Sequence, residues 1–86
     1  MELKGKVAII TGGASGLGEA TVRRFVSQGA KCAIFDINED RANSIISDLG
    51  AENAAFFSVD VTKTETIEAA IAATVETFGA IHVCCN

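Results

Sequence analysis

Val7-Ala8-Ile9-Ile10-Thr11-Gly12-Gly13-Ala14-Ser15-Gly16-Leu17-Gly18 decides how this chain is read. Its first four residues are apolar, two of them isoleucines, and predict a strand buried on both faces. A glycine-rich turn follows, and beyond it apolar residues recur at helical spacing. Strand, glycine turn and helix bring backbone N–H groups and the positive end of a helix dipole to one point, which suits a phosphate or diphosphate. A nucleoside-triphosphatase loop needs Lys and then Ser or Thr after its last glycine. Gly13 and Gly18 have that interval, but Glu19 and Ala20 follow, so a carboxylate stands where the ammonium belongs. A dinucleotide turn needs three glycines instead: for the tight turn, for close approach of backbone to ligand, and for helix–strand packing. Gly12, Gly16 and Gly18 fill those positions, in an interval one residue longer than Gly-x-Gly-x-x-Gly.

Met1 to Lys6 is a short lead-in. After the first strand, Leu17 to Gln28 is predicted helical. Val22, Phe25 and Val26 form its apolar stripe, Arg23 and Arg24 lean towards water, and Gly29 ends it. Lys31 to Ile37 reads as a second strand with Asp36 at its carboxyl end. Helix two is expected from Glu39 to Leu49, with Asn38 as N-cap, Ala42, Ile45, Ile46 and Leu49 facing inward, and Gly50 as its stop. Ala54 to Val59 is a third strand, ending at Asp60-Val61. Thr62-x-x-Glu65 reads as a capping box for helix three. That helix presents Ile67, Ala70, Ile71, Val75 and Phe78 inward and closes at Gly79. Ile81 to Cys85 is the fourth strand. Strands alternating with helices of this length call for an α/β fold, a parallel sheet with right-handed crossovers.

The composition fits one small domain: 49% hydrophobic, 21% charged, no proline. A chain this size buries only about 60–65% of its unfolded surface, so its core is marginal. A net charge of −4 without a basic cluster argues against nucleic acid and anionic membrane as partners. No apolar run reaches the roughly 20 residues of a membrane-spanning helix, and no signal peptide is expected at the head of the chain. A soluble cytoplasmic protein is expected. Cys32, Cys84 and Cys85, an odd count with one adjacent pair, suit neither a disulfide framework nor a zinc site. They read as small buried hydrophobes in a reducing compartment. His82 has no partners arranged as a triad and reads as a strand residue. Glu65, Glu68 and Glu76 form a solvated face of helix three, so no metal ligand is assigned.

Asp36 follows Gly18 by 18 residues, at a strand end where a carboxylate can accept from a ribose 2′-hydroxyl. A 2′-phosphate would meet like charge there, and Ser15, Ile37 and Asn38 bring no cation, so NAD is expected rather than NADP. The plainer alternative is that Asp36 only starts a turn. Ser15 and Leu17 flank Gly16 at the helix entrance, where a hydroxyl and a backbone N–H could reach the diphosphate or its ribose. Leu17 also reads as a first-turn core residue. On pattern alone, Asp60 is equally a ligand or a turn residue.

Thr11-Gly12-Gly13-Ala14-Ser15-Gly16-Leu17-Gly18 resembles the cofactor loop of the short-chain dehydrogenase/reductase family. Within it, the run Ile10 to Thr21 resembles the 3-hydroxyacyl-CoA dehydrogenase type-2 branch, also known as 17-beta-hydroxysteroid dehydrogenase type 10. The resemblance implies a Rossmann-type doubly wound sheet. These residues would form its first four strands, in order 3-2-1-4, with three helices: an incomplete domain. The cofactor would cross the carboxyl edge at the switch point between strands 1 and 4. Asp60 would accept from the adenine amine and the Val61 backbone would meet a ring nitrogen. Asn86 would open an Asn-Ala-Gly motif that contacts the cofactor ribose. The implied reaction moves hydride between NAD and a secondary alcohol or ketone, a small molecule such as a 3-hydroxyacyl-CoA or hydroxysteroid, in a homotetramer. The family's catalytic Ser, Tyr and Lys have no counterpart here, because the chain has no tyrosine. They are expected beyond Asn86, in a longer protein of which this is the N-terminal third. Strand four would then be an open apolar edge, to be covered by further chain or by a partner. The alternatives are a stand-alone, non-catalytic dinucleotide-binding module and a regulatory remnant that pairs through that edge.

Overall fold

Strands and helices alternate without exception in the computed structural model, which describes residues 2–85. The elements are β1 (Val7–Thr11), α1 (Gly16–Ser27), β2 (Lys31–Asp36), α2 (Glu39–Leu49), β3 (Ala54–Ser58), α3 (Thr64–Phe78) and β4 (Val83–Cys85). All strand pairs are parallel, in the order β3-β2-β1-β4. This is the Rossmann-type arrangement expected from the sequence.

β1 is apolar and buried from Val7 to Ile10 because it is central, flanked by β2 and β4 and covered on both faces. Residues in register share a face of a parallel sheet, so alternation divides the core in two. Ala8, Ile10, Cys32 and Ile34 meet Val22 of α1 and Ala42 and Ile45 of α2. On the other face, Ile9, Ala33 and Phe35 meet Val59 and Ala70 of α3. Phe35 and Phe57 stand edge to face there, with ring centroids 6.2 Å apart. Asn38 caps α2 as the sequence suggests, its Oδ1 accepting from the Arg41 amide at 3.1 Å.

Four expectations need correction. The Thr62 capping box does not form. Thr62 Oγ1 donates to Asp60 Oδ1 at 2.6 Å, and α3 begins two residues later behind Lys63. The inward face of α3 is Ile67, Ala70, Thr74 and Phe78, while Ile71 and Val75 are 41% and 44% exposed. Thr74 is fully buried, its hydroxyl satisfied by the Ala70 carbonyl at 2.7 Å. β4 is also shorter than expected. His82 lies just outside it, exposed, with Nδ1 accepting from the Val7 amide at 3.0 Å in place of a ladder carbonyl. Cys84 is exposed rather than buried, because it lies on the half of the α3 face that α3 does not reach.

That uncovered half is an apolar cavity of about 400 Å³ lined by Ile9, Phe35, Val61, Ile67, Ile71 and Cys84, among others. Among the described residues no strand pairs with the outer edge of β4. None of their helices is long and apolar enough to cross a membrane.

The cysteines test this layering. Burial, with a smaller contribution from Cys85, pushes the Cys32 thiol up to about 12. Alkylation of the folded protein near pH 8 should therefore modify Cys84 first and spare Cys32 until denaturant is added. Equal labelling rates at Cys32 and Cys84 would contradict the buried placement of β2.

Candidate dinucleotide site

The glycine loop begins where β1 ends. Gly12 turns the chain at φ +66°, a conformation that a side chain would oppose. Its amide donates to the Phe35 carbonyl at 2.8 Å, which ties the turn to the neighbouring strand. Gly13 packs downward: a Cβ there would stand 3.0 Å from both the Ile10 carbonyl oxygen and Ile34 Cγ2. Gly18 packs sideways against the loop, and a Cβ on it would overlap the Gly12 carbonyl oxygen. Gly16 differs from both, with nothing within 4 Å of an added Cβ. The loop is thus conformationally constrained at Gly12, closely packed at Gly13 and Gly18, and open to solvent at Gly16.

α1 starts at this open point, with Ser15 as N-cap. The Ser15 hydroxyl donates back to the Gly12 carbonyl at 3.1 Å and does not cap the helix. The amides of Gly16, Leu17 and Gly18 therefore lack intrahelical partners and lie at the positive end of the helix dipole. Leu17 is not a core residue; it is 85% exposed.

Asp36 projects from the end of β2 into the same loop. Oδ2 accepts from the Ala14 amide at 3.0 Å, while Oδ1 accepts from Ile37 N at 2.7 Å and Asn38 N at 3.1 Å. The carboxylate therefore starts a turn, as the plainer reading has it, and at the same time grips the glycine loop. Asp60 lies beyond β3, its Oδ1 taking the hydroxyl and amide of Thr62. Those two bonds, the hydroxyl foremost, hold the Asp60 carboxyl below the usual carboxylate range, with Lys63 assisting. Their contribution to stability is complete above about pH 4 and lost as pH falls through the lowered value.

Two hollows meet at Gly12. One, of about 250 Å³, is lined by Thr11, Gly12, Ser15, Leu17, Gly18 and Cys85, among others. The other, of about 210 Å³, is lined by Gly12, Asp36, Ile37, Val59, Asp60 and Val61. Among the described residues, the three most exposed large apolar ones, Leu17, Ile37 and Val61, all stand on this rim at 70–85% exposure. Apolar side chains held in water around charged and amide groups suit a ligand with both flat apolar rings and anionic groups. A larger hollow of about 550 Å³ lies elsewhere, between the open edge of β3 and α3, and holds none of the glycine-loop groups.

The structure thus gathers Gly12, Ser15, Gly16, Leu17, Gly18, Asp36, Asp60 and Val61 along one rim. Asn86 lies outside the described residues. Sequence reasoning passed over Gly13, Ala14, Ile37 and Arg41. An apolar residue directly after the strand-end acid was a usable signal for Ile37, whereas the others depend on tertiary packing.

A family model described as short chain dehydrogenase matches residues 6–86. The 2,5-dichloro-2,5-cyclohexadiene-1,4-diol dehydrogenase LinX of Sphingobium indicum is 46% identical over 86 residues, covering 98% of this chain and 34% of that protein. Secoisolariciresinol dehydrogenase of Forsythia intermedia is 41% identical over 81 residues, covering 94% of this chain and 29% of that one. A crystal structure of 3-ketoacyl-(acyl-carrier-protein) reductase from Brucella melitensis complexed with NADH superposes with a TM-score of 0.90 at 35% identity. It covers 95% of this chain, which in turn covers 34% of that protein. The chain thus spans about a third of the length of these relatives.

The contrast between Gly16 and Gly18 yields a prediction. Gly18→Ala should cost about 1–3 kcal/mol of stability, because the new methyl meets backbone that cannot yield. Gly16→Ala should leave the denaturation midpoint unchanged or slightly raised, yet weaken dinucleotide binding about tenfold or more by filling the approach. Denaturant unfolding and NADH titration of both variants would check this; unchanged NADH affinity in Gly16→Ala would contradict it.

Proposed function

This chain belongs to the short-chain dehydrogenase family, and from that premise we propose that its C-terminal rim binds NAD(H) for hydride exchange with a secondary alcohol or ketone. The observation that carries the proposal is the Ala14–Asp36 contact, which puts a carboxylate on the same loop as three unpartnered helix amides. The amides of Gly16, Leu17 and Gly18 would receive the diphosphate, and the empty space over Gly16 lets backbone and phosphate come close. Asp36 Oδ2 has acceptor capacity left for a ribose hydroxyl beside its bond to Ala14. Ile37 and Val61 would enclose the adenine, with Asp60 at its amine and the Val61 backbone at a ring nitrogen. Ser15 would approach the diphosphate or its ribose, and Asn86 a ribose of the cofactor, as the resemblance implies.

The bound nicotinamide supplies the hydride acceptor or donor. The residues described here bind and orient it, and none is assigned a proton-transfer role. The finer reading of the substrate, a 3-hydroxyacyl-CoA or a hydroxysteroid, rests on the resemblance of Ile10 to Thr21. The three relatives described above carry other substrates in their names. The exposed apolar cavity beside β4 supports the reading that the 86 residues are the N-terminal part of a larger dinucleotide-binding domain whose sheet continues past that strand. A homotetramer and a cytoplasmic location complete the proposal and rest on the resemblance and composition.

Cofactor choice tests the role of Asp36. A like charge against the 2′-phosphate should make NADPH bind at least about tenfold more weakly than NADH. Asp36→Asn keeps an acceptor for Ala14 while removing the charge, so it should bring the two affinities to within about threefold. Equal affinities in the unmodified protein would exclude the ribose role of Asp36.

A further inference from the structure

Ala14, at the middle of the glycine loop, is fully buried and held from both sides. Its amide donates to Asp36, and its carbonyl oxygen accepts from Arg41 Nε at 2.7 Å. Arg41 lies in the first turn of α2, so one grip on the loop comes from the end of β2, the other from the start of α2, and neither from α1. The Arg41 amide is itself fixed by the Asn38 cap, which sets the direction from which the side chain reaches.

The other end of the guanidinium meets Glu19. Arg41 Nη2 lies 3.3 Å from Glu19 Oε1, and Arg23 Nε lies 2.9 Å from Glu19 Oε2. Arg23 Nη2 continues to Asp48 Oδ2 at 2.8 Å, so the ion-pair chain links both ends of α2 to α1. Glu19 sits in the first turn of α1, one residue after the unpartnered amides. A bare carboxylate there would repel an incoming diphosphate. Here each of its oxygens is occupied by a guanidinium.

We propose that Arg41 is a positioning residue of the dinucleotide site, holding the Ala14 carbonyl opposite Asp36 and screening the Glu19 carboxylate from the diphosphate. The inference rests on the NAD(H) reading and assigns this rim a residue that lines neither hollow. It acts through Ala14 and Glu19 and touches no reacting atom. Lysine cannot replace it fully, because its single nitrogen cannot stand at the two separate positions from which Nε and Nη2 reach Ala14 and Glu19.

The test titrates the protein with NADH by nucleotide fluorescence and with adenosine by NMR, for Arg41→Ala, Arg41→Lys and Glu19→Gln/Arg41→Ala. Arg41→Ala should weaken NADH about tenfold while leaving adenosine within about twofold, since adenosine lacks the diphosphate and Asp36, which would meet its ribose, keeps its bonds from Ile37 N and Asn38 N. Arg41→Lys should recover part of that loss. Removing the Glu19 charge as well should recover part by the electrostatic route, so the double variant should bind NADH more tightly than Arg41→Ala alone. NADH affinity within twofold of the unmodified protein in Arg41→Ala would overturn the inference. A parallel loss of NADH and adenosine would also overturn it, by pointing to damage of the fold. If the unmodified protein fails to bind NADH, the underlying reading falls first and takes this inference with it.

Discussion

One charge-assisted hydrogen bond, from the Ala14 amide to Asp36 Oδ2 at 3.0 Å, makes a single site from two separate strand ends. It is possible because β1 and β2 run parallel and in register up to Thr11 opposite Phe35, so the glycine turn and the acid emerge level with each other. A one-residue slip would turn Asp36 to the opposite face and leave a buried amide unpaired. The sheet's register and the geometry of the candidate rim are therefore one constraint. Everything attributed to the loop depends on that alignment, including the solvent-facing amides of α1 and the space over Gly16.

The two faces of the sheet contribute unequally. Under the loop, Gly13 rests on Ile34 and Val22 within the complete core formed with α1 and α2. That packing gives the turn a fixed floor. The α3 face has a firm half around Phe35, Val59 and Ala70 and an uncovered half around Ile71 and Cys84. The site draws its shape from the finished side, and the rim residue Val61 reaches over the unfinished one. The rim and the open apolar surface therefore adjoin, with Thr11, Val59 and Val61 lining both.

The parts of this architecture legible in the sequence were those whose causes are local. Glycine spacing, the Asn38 cap, the glycines after each helix and an acid at a strand end act over a few residues. Misreadings arose where a distant or competing partner decided the outcome. Asp60 took the Thr62 hydroxyl that would have capped α3. Ile71 and Val75 follow helical spacing, but spacing identifies a face without revealing whether anything packs on it. His82 offered its ring to Val7, which shortened β4. Arg41 resembles any surface arginine until the fold brings Ala14 and Glu19 to its two ends. The binding roles are further from the sequence still, because they depend on a ligand meeting groups that folding has merely brought together.

The central claim is that this rim, and not the larger hollow beside β3, receives the dinucleotide. Backbone amide chemical shifts followed during NADH addition address it most directly. NADH seated on this rim should give the largest changes at Ala14, Gly16, Leu17 and Gly18, with further changes at Ile37 and Val61 and little movement at Phe56 and Ala73. Shifts concentrated at Phe56, Phe57 and Ala73, or none on the loop at saturating NADH, would contradict it.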